Sequence, residues 1–596
     1  MNWDLIFIVS LVVFAGFTAA AIVFAGQKKY KSRLLTWSNL LFAGTFLSAC
    51  ILLLPVSYDM LKSSGSTGFA KGLETFLFSV HNTFQLFTVD ADKQLIINNV
   101  KASGGTFSGA YAAVISAFYV FAPVFTFVFL LSFFNELKAR LRLWIHCFRD
   151  VYVFSELNER TASLGRDIKK NHKKAVLVYT DVYGKKEETS PELIEKVGSV
   201  RAIFFKKEVT ALNIRRKKAA VCFFVFGEDE SENTFKALTL TEKYKDRKNV
   251  SIYVASTGVE GGLLYSNVGK DGLKVRRINR YRLLVDRELY ENGESLFKNA
   301  LPCEDGKKKI SAVIVGLGRY GTEMLKALCW YCQMDGYSVE INAFDIDRRA
   351  KDKFAALAPE LMAKEYNGVS VPGEAEYTVN IYPGYDVNTK SFADRLAKIK
   401  NVTYALVAIG DDSVNIKAAF DLRMYFERMK VHPVIQAVVY NVKEKEVLGG
   451  LTNYRGQKYD IGFIGDIDSE EVIMHSGLED EALSRHLKWG DEDEFWRYEY
   501  NYDSSIASAI HRHARIACGI PGASKKEEEL TEEERTIIEM IEHRRWNAYM
   551  RSEGYVFSGS KEKSSRNDLG KMHHDLVKYA ELDDTEKRKD SSVGTN

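Results

Sequence analysis

The strongest constraint on this chain is the run at 5–26, LIFIVSLVVFAGFTAAAIVFAG, which carries no charged residue. At about 1.5 Å per residue, a helix of that length matches a hydrocarbon core of about 30 Å. Two more apolar runs follow at 34–58 and 110–134, and three membrane helices are the economical reading. A signal peptide is the alternative for the first run. Its apolar stretch exceeds the usual ~7–15 residues, however, and no basic region precedes it. Pro123 lies within the third run, where a kink can form.

Lys28, Lys29, Lys31 and Arg33 follow the first run, and Lys138, Arg140, Arg142 and Arg149 follow the third. The positive-inside bias places both segments in the cytoplasm, with the N-terminus outside and everything beyond about residue 136 inside. The protein is thus expected to be multi-pass in an inner or plasma membrane, with lipid as a partner. The loop at 59–109 falls outside. Its segment FAKGLETFLFSVHNTFQLFTVDAD ends in Thr88, Val89 and Asp90, where two-helix cation channels place a pore helix and filter. The potassium filter TVGYG is absent, and an interfacial helix covering the bundle is an equal alternative.

The remaining chain is of a different kind. Its 596 residues suggest about four structural units. With 82 Lys+Arg against 79 Asp+Glu, the net charge of +3 offers no bulk basicity for nucleic-acid binding. VYVF, AVLVYTDV, RAIFF, AAVCFFVFG and VSIYVAS read as buried parallel strands alternating with helices, a doubly wound α/β pattern. The pattern then repeats with a clearer signature. KISAVIVGLGRYGTEMLKAL places Gly316, Gly318 and Gly321 between a strand and a helix, where a phosphate can approach backbone N–H groups.

Arg319 and Tyr320 lie inside that turn, and the next strand ends in Asp345 and Asp347, carboxylates suited to ribose hydroxyls. YALVAIGDDSVN sets Asp411 and Asp412 at another strand end. Bound nucleotide and a fold relic both fit this second half. The first half reads Phe154-Ser155-Glu156-Leu157-Asn158 at the corresponding turn, with no glycine, which favours a structural or altered-ligand role. Cys329 and Cys332 form a CxxC within the apolar helix, where buried packing is a better reading than a redox pair.

VIVGLGRYG with FDID, VAIGDDSVN, and FVFGEDESENTFKAL in the first half resemble the TrkA-N, or RCK, domains that regulate potassium channels and transporters. The resemblance covers roughly 150–470. It implies control by NAD(H), ATP or a related adenine nucleotide, and assembly through paired domains, hence a homo-oligomer.

Beyond residue 494 the pattern is helical. His543, Trp546, Ala548, Gly554 and Tyr555, followed by KMHHDLVKYAELDDTEKRKD, resemble the repeat domain of ryanodine receptors, departing from it at His574 and Lys578, where that family carries prolines. His543, Arg544, Trp546, Asn547, Tyr555, Lys571, His573 and Tyr579 are the candidate ligand-binding residues, forming either an aromatic pocket for a planar base or a helical core with a polar rim. No metal is expected, because five histidines in this tail have Cys518 as the one nearby cysteine.

The expected architecture is a membrane module at 1–136, Rossmann-like domains at 137–300 and 301–485, and a small helical domain at 494–590. The leading functional expectation is a nucleotide-gated channel or pore-forming effector. A membrane-anchored sensor of a separate potassium transporter is the alternative. An enzyme is disfavoured, since no substrate domain with a partnered base is evident.

Overall fold

The computed structural model describes residues 2–26, 34–62, 67–88, 90, 92–102, 105–182, 191–216, 218–256, 273–373, 376–440, 453–465, 473–474 and 476–595. The basic loop with Lys28, Lys29, Lys31 and Arg33 lies outside them, as does Val89. The chain forms two compact units, Met1–Phe224 and Val225–Asn596.

The first unit begins with five helices: α1 (Trp3–Gly26), α2 (Leu34–Met60), α3 (Gly68–Thr88), α4 (Lys93–Ala102) and α5 (Ser108–Ile145). Among the described residues, two helical segments are long and apolar enough to cross a membrane, Trp3–Ile22 and Leu41–Met60. The third apolar run lies within α5, whose described apolar part, Ser108–Val124, is shorter than a span. That helix continues past Pro123 and through the basic stretch to Ile145, so the boundary expected near residue 136 falls inside a helix.

Small hydroxyls join these helices. The Ser10 and Ser48 hydroxyls lie 3.0 Å apart, Ser79 donates to the Cys50 carbonyl at 2.6 Å, and Asn82 donates to Ser57 at 3.2 Å. Helix α3 is turned inside out: Thr75, Ser79, Asn82 and Thr83 are buried, whereas Phe69, Phe76, Leu77 and Phe84 are exposed. Thr88 ends this helix and returns its hydroxyl to the Phe84 carbonyl, and the Asp90 N–H bonds the Gln85 carbonyl.

After α5 come β1 (Val151–Phe154), α6 (Glu159–Asn171), β2 (Val176–Tyr179), β3 (Ile203–Phe204) and β4 (Val221–Val225), paired in parallel in the order β3-β2-β1-β4. Their buried, aliphatic and aromatic composition suits a strand covered on both faces. Arg142, near the end of α5, donates to the Arg201 carbonyl at 2.8 Å, and Arg216 donates to the Leu143 carbonyl at 2.7 Å. The end of the long helix is thereby clasped to the α/β layer.

The second unit holds α7 (Glu230–Tyr244), the parallel pair β5 (Val250–Ala255) and β6 (Lys274–Ile278), and α8 (Arg280–Asn292). A larger parallel sheet follows from β7 (Lys308–Val315), β8 (Tyr337–Asp345), β9 (Tyr377–Pro383), β10 (Tyr404–Val407), β11 (Val434–Val438) and β12 (Ile461–Ile464). Its order is β9-β8-β7-β10-β11-β12, with Leu301–Pro302 added antiparallel beside β7. The order reverses between β7 and β10, the switch point at which such sheets open a crevice. Around it lie α9 (Arg319–Tyr331), α10 (Ala350–Leu357) and α11 (Asp412–Arg428).

Cys329 in α9 and Cys332, the residue that caps its C-terminus, are fully buried free thiols, and burial pushes both far above the ordinary thiol range. Iodoacetamide treatment of native protein followed by peptide mass spectrometry should leave both unmodified while Cys303 is alkylated; rapid labelling of either would contradict their packing.

The chain ends in α12 (Glu499–Ala517), α13 (Glu532–Ser552) and α14 (Asp584–Gly594). Thr531 and Glu534 cap α13 reciprocally, and Trp330 of α9 meets Tyr549 of α13 edge to face at 6.2 Å. Charge is buried here in ion pairs. Glu542 lies between Arg515 at 3.0 Å and Arg545 at 2.7 Å, and Arg551 meets Glu360 at 3.2 Å. Burial alone would raise the Glu542 carboxyl, but the two guanidiniums hold it at about 2.

Candidate nucleotide cleft and a second cavity

The turn after β7 gives each glycine a separate task. Gly316 has φ +96°, and a Cβ there would lie 2.5 Å from the Ala408 carbonyl oxygen at the end of β10. At Gly321 a Cβ would meet the Gly316 carbonyl oxygen at 1.9 Å, so helix and turn pack too closely for any side chain. Gly318 is different: a Cβ would find its nearest neighbour at 3.9 Å, leaving open space over the start of α9. Gly318 is also the N-cap of that helix and supplies no side-chain acceptor. The first N–H groups of α9 and the positive end of its dipole therefore face this opening.

A cleft of about 550 Å³ lies there, lined by Leu317, Gly318, Arg319, Asp345, Asp347 and Lys353, with Asn279 and Tyr281 opposite. The Asp345 carboxylate accepts from the Leu317 N–H at 2.6 Å and from the Asp347 N–H at 2.7 Å, bracing the turn while each oxygen keeps a second lone pair for a ligand hydroxyl. Asp347 accepts from Lys353 at 2.6 Å and from the Arg349 N–H at 2.9 Å; the lysine first, then the backbone, holds its carboxyl below the usual range. Arg319 stands at the lip, 63% exposed, 3.4 Å from Glu230 and 5.7 Å from the Tyr281 ring centroid.

Three residues expected at this site go elsewhere. Tyr320 follows Arg319 by one helical step, which turns its side chain into the core, and burial pushes its hydroxyl well above the ordinary range. Asp411 caps α11 through the Val414 N–H at 3.1 Å, and Asp412 accepts from the Tyr440 N–H at 3.0 Å. Neither lines the cleft. Asp411 serves the helix start and Asp412 the Tyr440 backbone, while the Ala408 carbonyl just past β10 packs against the glycine turn.

Asn415, which no motif singled out, accepts from the Ile409 N–H at 2.7 Å and donates to the Val438 carbonyl at 2.8 Å. Asn233 makes the same kind of lock in the earlier half, with Gly227 and Ala255. The signal in the sequence is the asparagine four residues after a capping aspartate in both SVN and SEN segments. The glycine-free turn of the first half is closed in another way. Asn158 accepts from the Thr161 N–H at 2.9 Å and forms a capping box with it, so the N-terminus of α6 is occupied by the chain itself.

The wall of the cleft continues into an ion network. Glu323 of α9 lines the cleft and lies 3.4 Å from Arg282 of α8. Arg282 also meets Asp503 of α12 at 2.5 Å and Glu553, just past α13, at 2.6 Å; Lys326 adds a 2.8 Å contact to Glu553. Burial opposes the charges of Arg282, Asp503 and Glu553. Arg282 and Lys326 nevertheless hold the Glu553 carboxyl well below its ordinary range, whereas burial prevails at Asp286 and raises its carboxyl.

A second cavity, about 270 Å³, lies among the C-terminal helices. Of the candidate ligand residues there, His543, Trp546 and His573 line it. Arg544, Asn547, Tyr555, Lys571 and Tyr579 do not. Asn547 donates to His543 at 2.9 Å, Tyr555 is buried, Lys571 donates to the Glu553 carbonyl at 2.7 Å, and Tyr579 donates to Glu539 at 2.6 Å. Arg544 is one helical step off the face that carries His543, whereas Asn547, one turn further on the same face, spends its amide on His543. Where no metal was expected, His573, His574 and Asp575 bring ligand-type atoms within 4.8 Å of one another, although His573 Nδ1 already accepts from the Asp575 N–H at 3.1 Å.

The parallel sheet of switch-point order with a glycine turn at its crevice defines a Rossmann-like α/β protein, a class in which NAD(H) is a common ligand. No family model matches the chain, and no curated protein matches it. Among solved structures it is similar to one component of the dipicolinate synthase from Bacillus halodurans, with 9% identity and a TM-score of 0.18 over 54% of this chain and 91% of that one. At that score the likeness carries no argument about function.

Proposed function

We propose that this protein is a nucleotide-gated membrane channel or pore-forming effector, in which TrkA-N-like domains bind NAD(H) or another adenine nucleotide and a ryanodine-repeat-like domain completes the sensor. The observation that carries the reading is the uncapped start of α9 beneath Gly318, opening onto a cleft that offers Arg319 and Lys353 for phosphate and Asp345 for ribose. It occurs in the same chain as two membrane-length helices. Supporting it, α3 carries aromatic residues outward and hydroxyls inward, an arrangement that suits lipid and a polar bundle interior. The clasp of Arg142 and Arg216 at the end of α5 supplies a lever on the membrane helices.

Ligand can shift gating only through different affinity for closed and open states. Purified protein in liposomes, assayed for potassium and sodium flux with and without NADH or ATP on the cytoplasmic side, should conduct in a nucleotide-dependent way. Absence of flux under every ligand would remove the channel. The second reading, a membrane-anchored sensor of a separate potassium transporter, is favoured by Thr88, whose hydroxyl is bound back into its own helix. Under that reading a stoichiometric membrane partner co-purifies.

A further inference from the structure

The cavity among the C-terminal helices has the chemistry of a site in its own right. Its inner wall carries Trp546 and His573, whose rings meet edge to face at 4.9 Å. Burial, then Arg566, depresses His573 to about 3, so its ring is uncharged near pH 7. Among the buried polar atoms of lining residues that make no hydrogen bond within the protein are Asn501 Oδ1, in a residue 3% exposed, Arg545 Nη1, in a residue 2% exposed, and both ring nitrogens of His574. The other nitrogens of Arg545 are committed to Glu542, at 3.0 and 2.7 Å. One acceptor and one donor are thus left at the wall of an aromatic cavity, where unmade hydrogen bonds are costly.

Three cations stand at the mouth. Lys563 and Lys589 share the single carboxylate of Glu586, at 3.0 and 2.9 Å, and Arg566 pairs with Asp568 at 2.9 Å, while Asp575 and Asp590 also line the cavity. An aromatic interior with an unfilled donor–acceptor pair fits the edge of a heteroaromatic base, and a cationic rim fits phosphate. The volume of 270 Å³, near the lower end of the usual range of about 300–1,000 Å³, suits one base with its phosphate outside.

We infer that this cavity is a second ligand site, separate from the glycine-rich cleft, which takes the base of a mononucleotide between Trp546 and Asn501 and its phosphate on Lys563, Arg566 and Lys589. The inference extends the sensing role proposed above but does not need the cleft to be occupied.

The test uses full-length protein in detergent and its Gly318→Asp variant, which closes the cleft to phosphate. AMP, GMP, CMP, UMP and ribose 5-phosphate are titrated calorimetrically into both. At least one nucleotide should bind Gly318→Asp as well as it binds the parent, and at least about 10-fold tighter than ribose 5-phosphate. Hydrogen exchange of the parent with that nucleotide should show protection at 543–550 and 563–575.

Trp546→Ala should weaken binding about 10-fold at unchanged melting temperature. If that variant does not fold, Arg566→Gln at the mouth should weaken binding and flatten its salt dependence. Binding lost entirely in Gly318→Asp would overturn the second site while leaving the cleft reading in place. Equal affinity for ribose 5-phosphate, or protection confined to other segments, would also overturn it. Binding that persists in Gly318→Asp when the parent shows no additional site would instead remove the cleft.

Discussion

Gly318→Asp is expected to lower affinity for NADH or ATP by about 100-fold or more without unfolding the protein, because it removes roughly 3 kcal/mol of charge-assisted bonding to phosphate. The backbone there has φ −66°, within reach of any residue, and a Cβ meets nothing nearer than 3.9 Å. Aspartate is moreover a good N-cap, so its carboxylate would take the N–H groups at the start of α9 that a phosphate otherwise uses. The substitution should leave the melting temperature unchanged or slightly higher while calorimetry reports lost binding. Gly321→Ala makes the contrast: its methyl would lie 1.9 Å from the Gly316 carbonyl oxygen, so it should damage the fold first. Undiminished affinity in a folded Gly318→Asp protein would show that phosphate does not sit over this turn.

The second large effect belongs to Arg282→Met. Methionine fills much of the space but strands Glu323, Asp503 and Glu553 around an empty centre of charge. Breaking one partner of a buried network typically costs about 3–5 kcal/mol, which for a unit of this size lowers the melting temperature by roughly 4–6 °C. Full-length protein in detergent, followed by differential scanning fluorimetry, reads the loss directly. Adding Asp503→Asn to Arg282→Met should recover part of it, since one uncompensated carboxylate is then removed. A loss below about 1 kcal/mol would place the arginine in ordinary surface pairing. The position also connects α8, the cleft-lining α9 and the C-terminal helices, so the same variant should alter nucleotide affinity, a consequence that a simple surface pair would not have.

Much of this arrangement was legible in residues 308–345. An unbroken apolar strand, three spaced glycines and a strand ending in acids have few alternatives, since only such a turn brings backbone N–H groups into the open. The absence of glycine near Asn158 was equally readable, and the structure supplies its meaning: a side-chain cap in place of an open helix start.

Side-chain direction was less accessible. Tyr320 looked like a neighbour of the ligand because it is next to Arg319, yet about 100° of helical rotation per residue carries it into the core. Asp411 and Asp412 carried the right chemistry at the right strand end, but Asp411 caps its own helix and Asp412 accepts from the Tyr440 N–H, 28 residues on. Local sequence therefore governed what could be read early: apolar length, strand and helix period, and the glycine turn all act over a few residues. Convergence across long separations was settled by packing. Arg282 meets carboxylates 41, 221 and 271 residues away, and the C-terminal cavity joins Asn501, Trp546 and His573 from separate elements. No periodicity encodes such meetings, because burial and charge compensation are properties of the assembled three-dimensional surroundings and of no single segment.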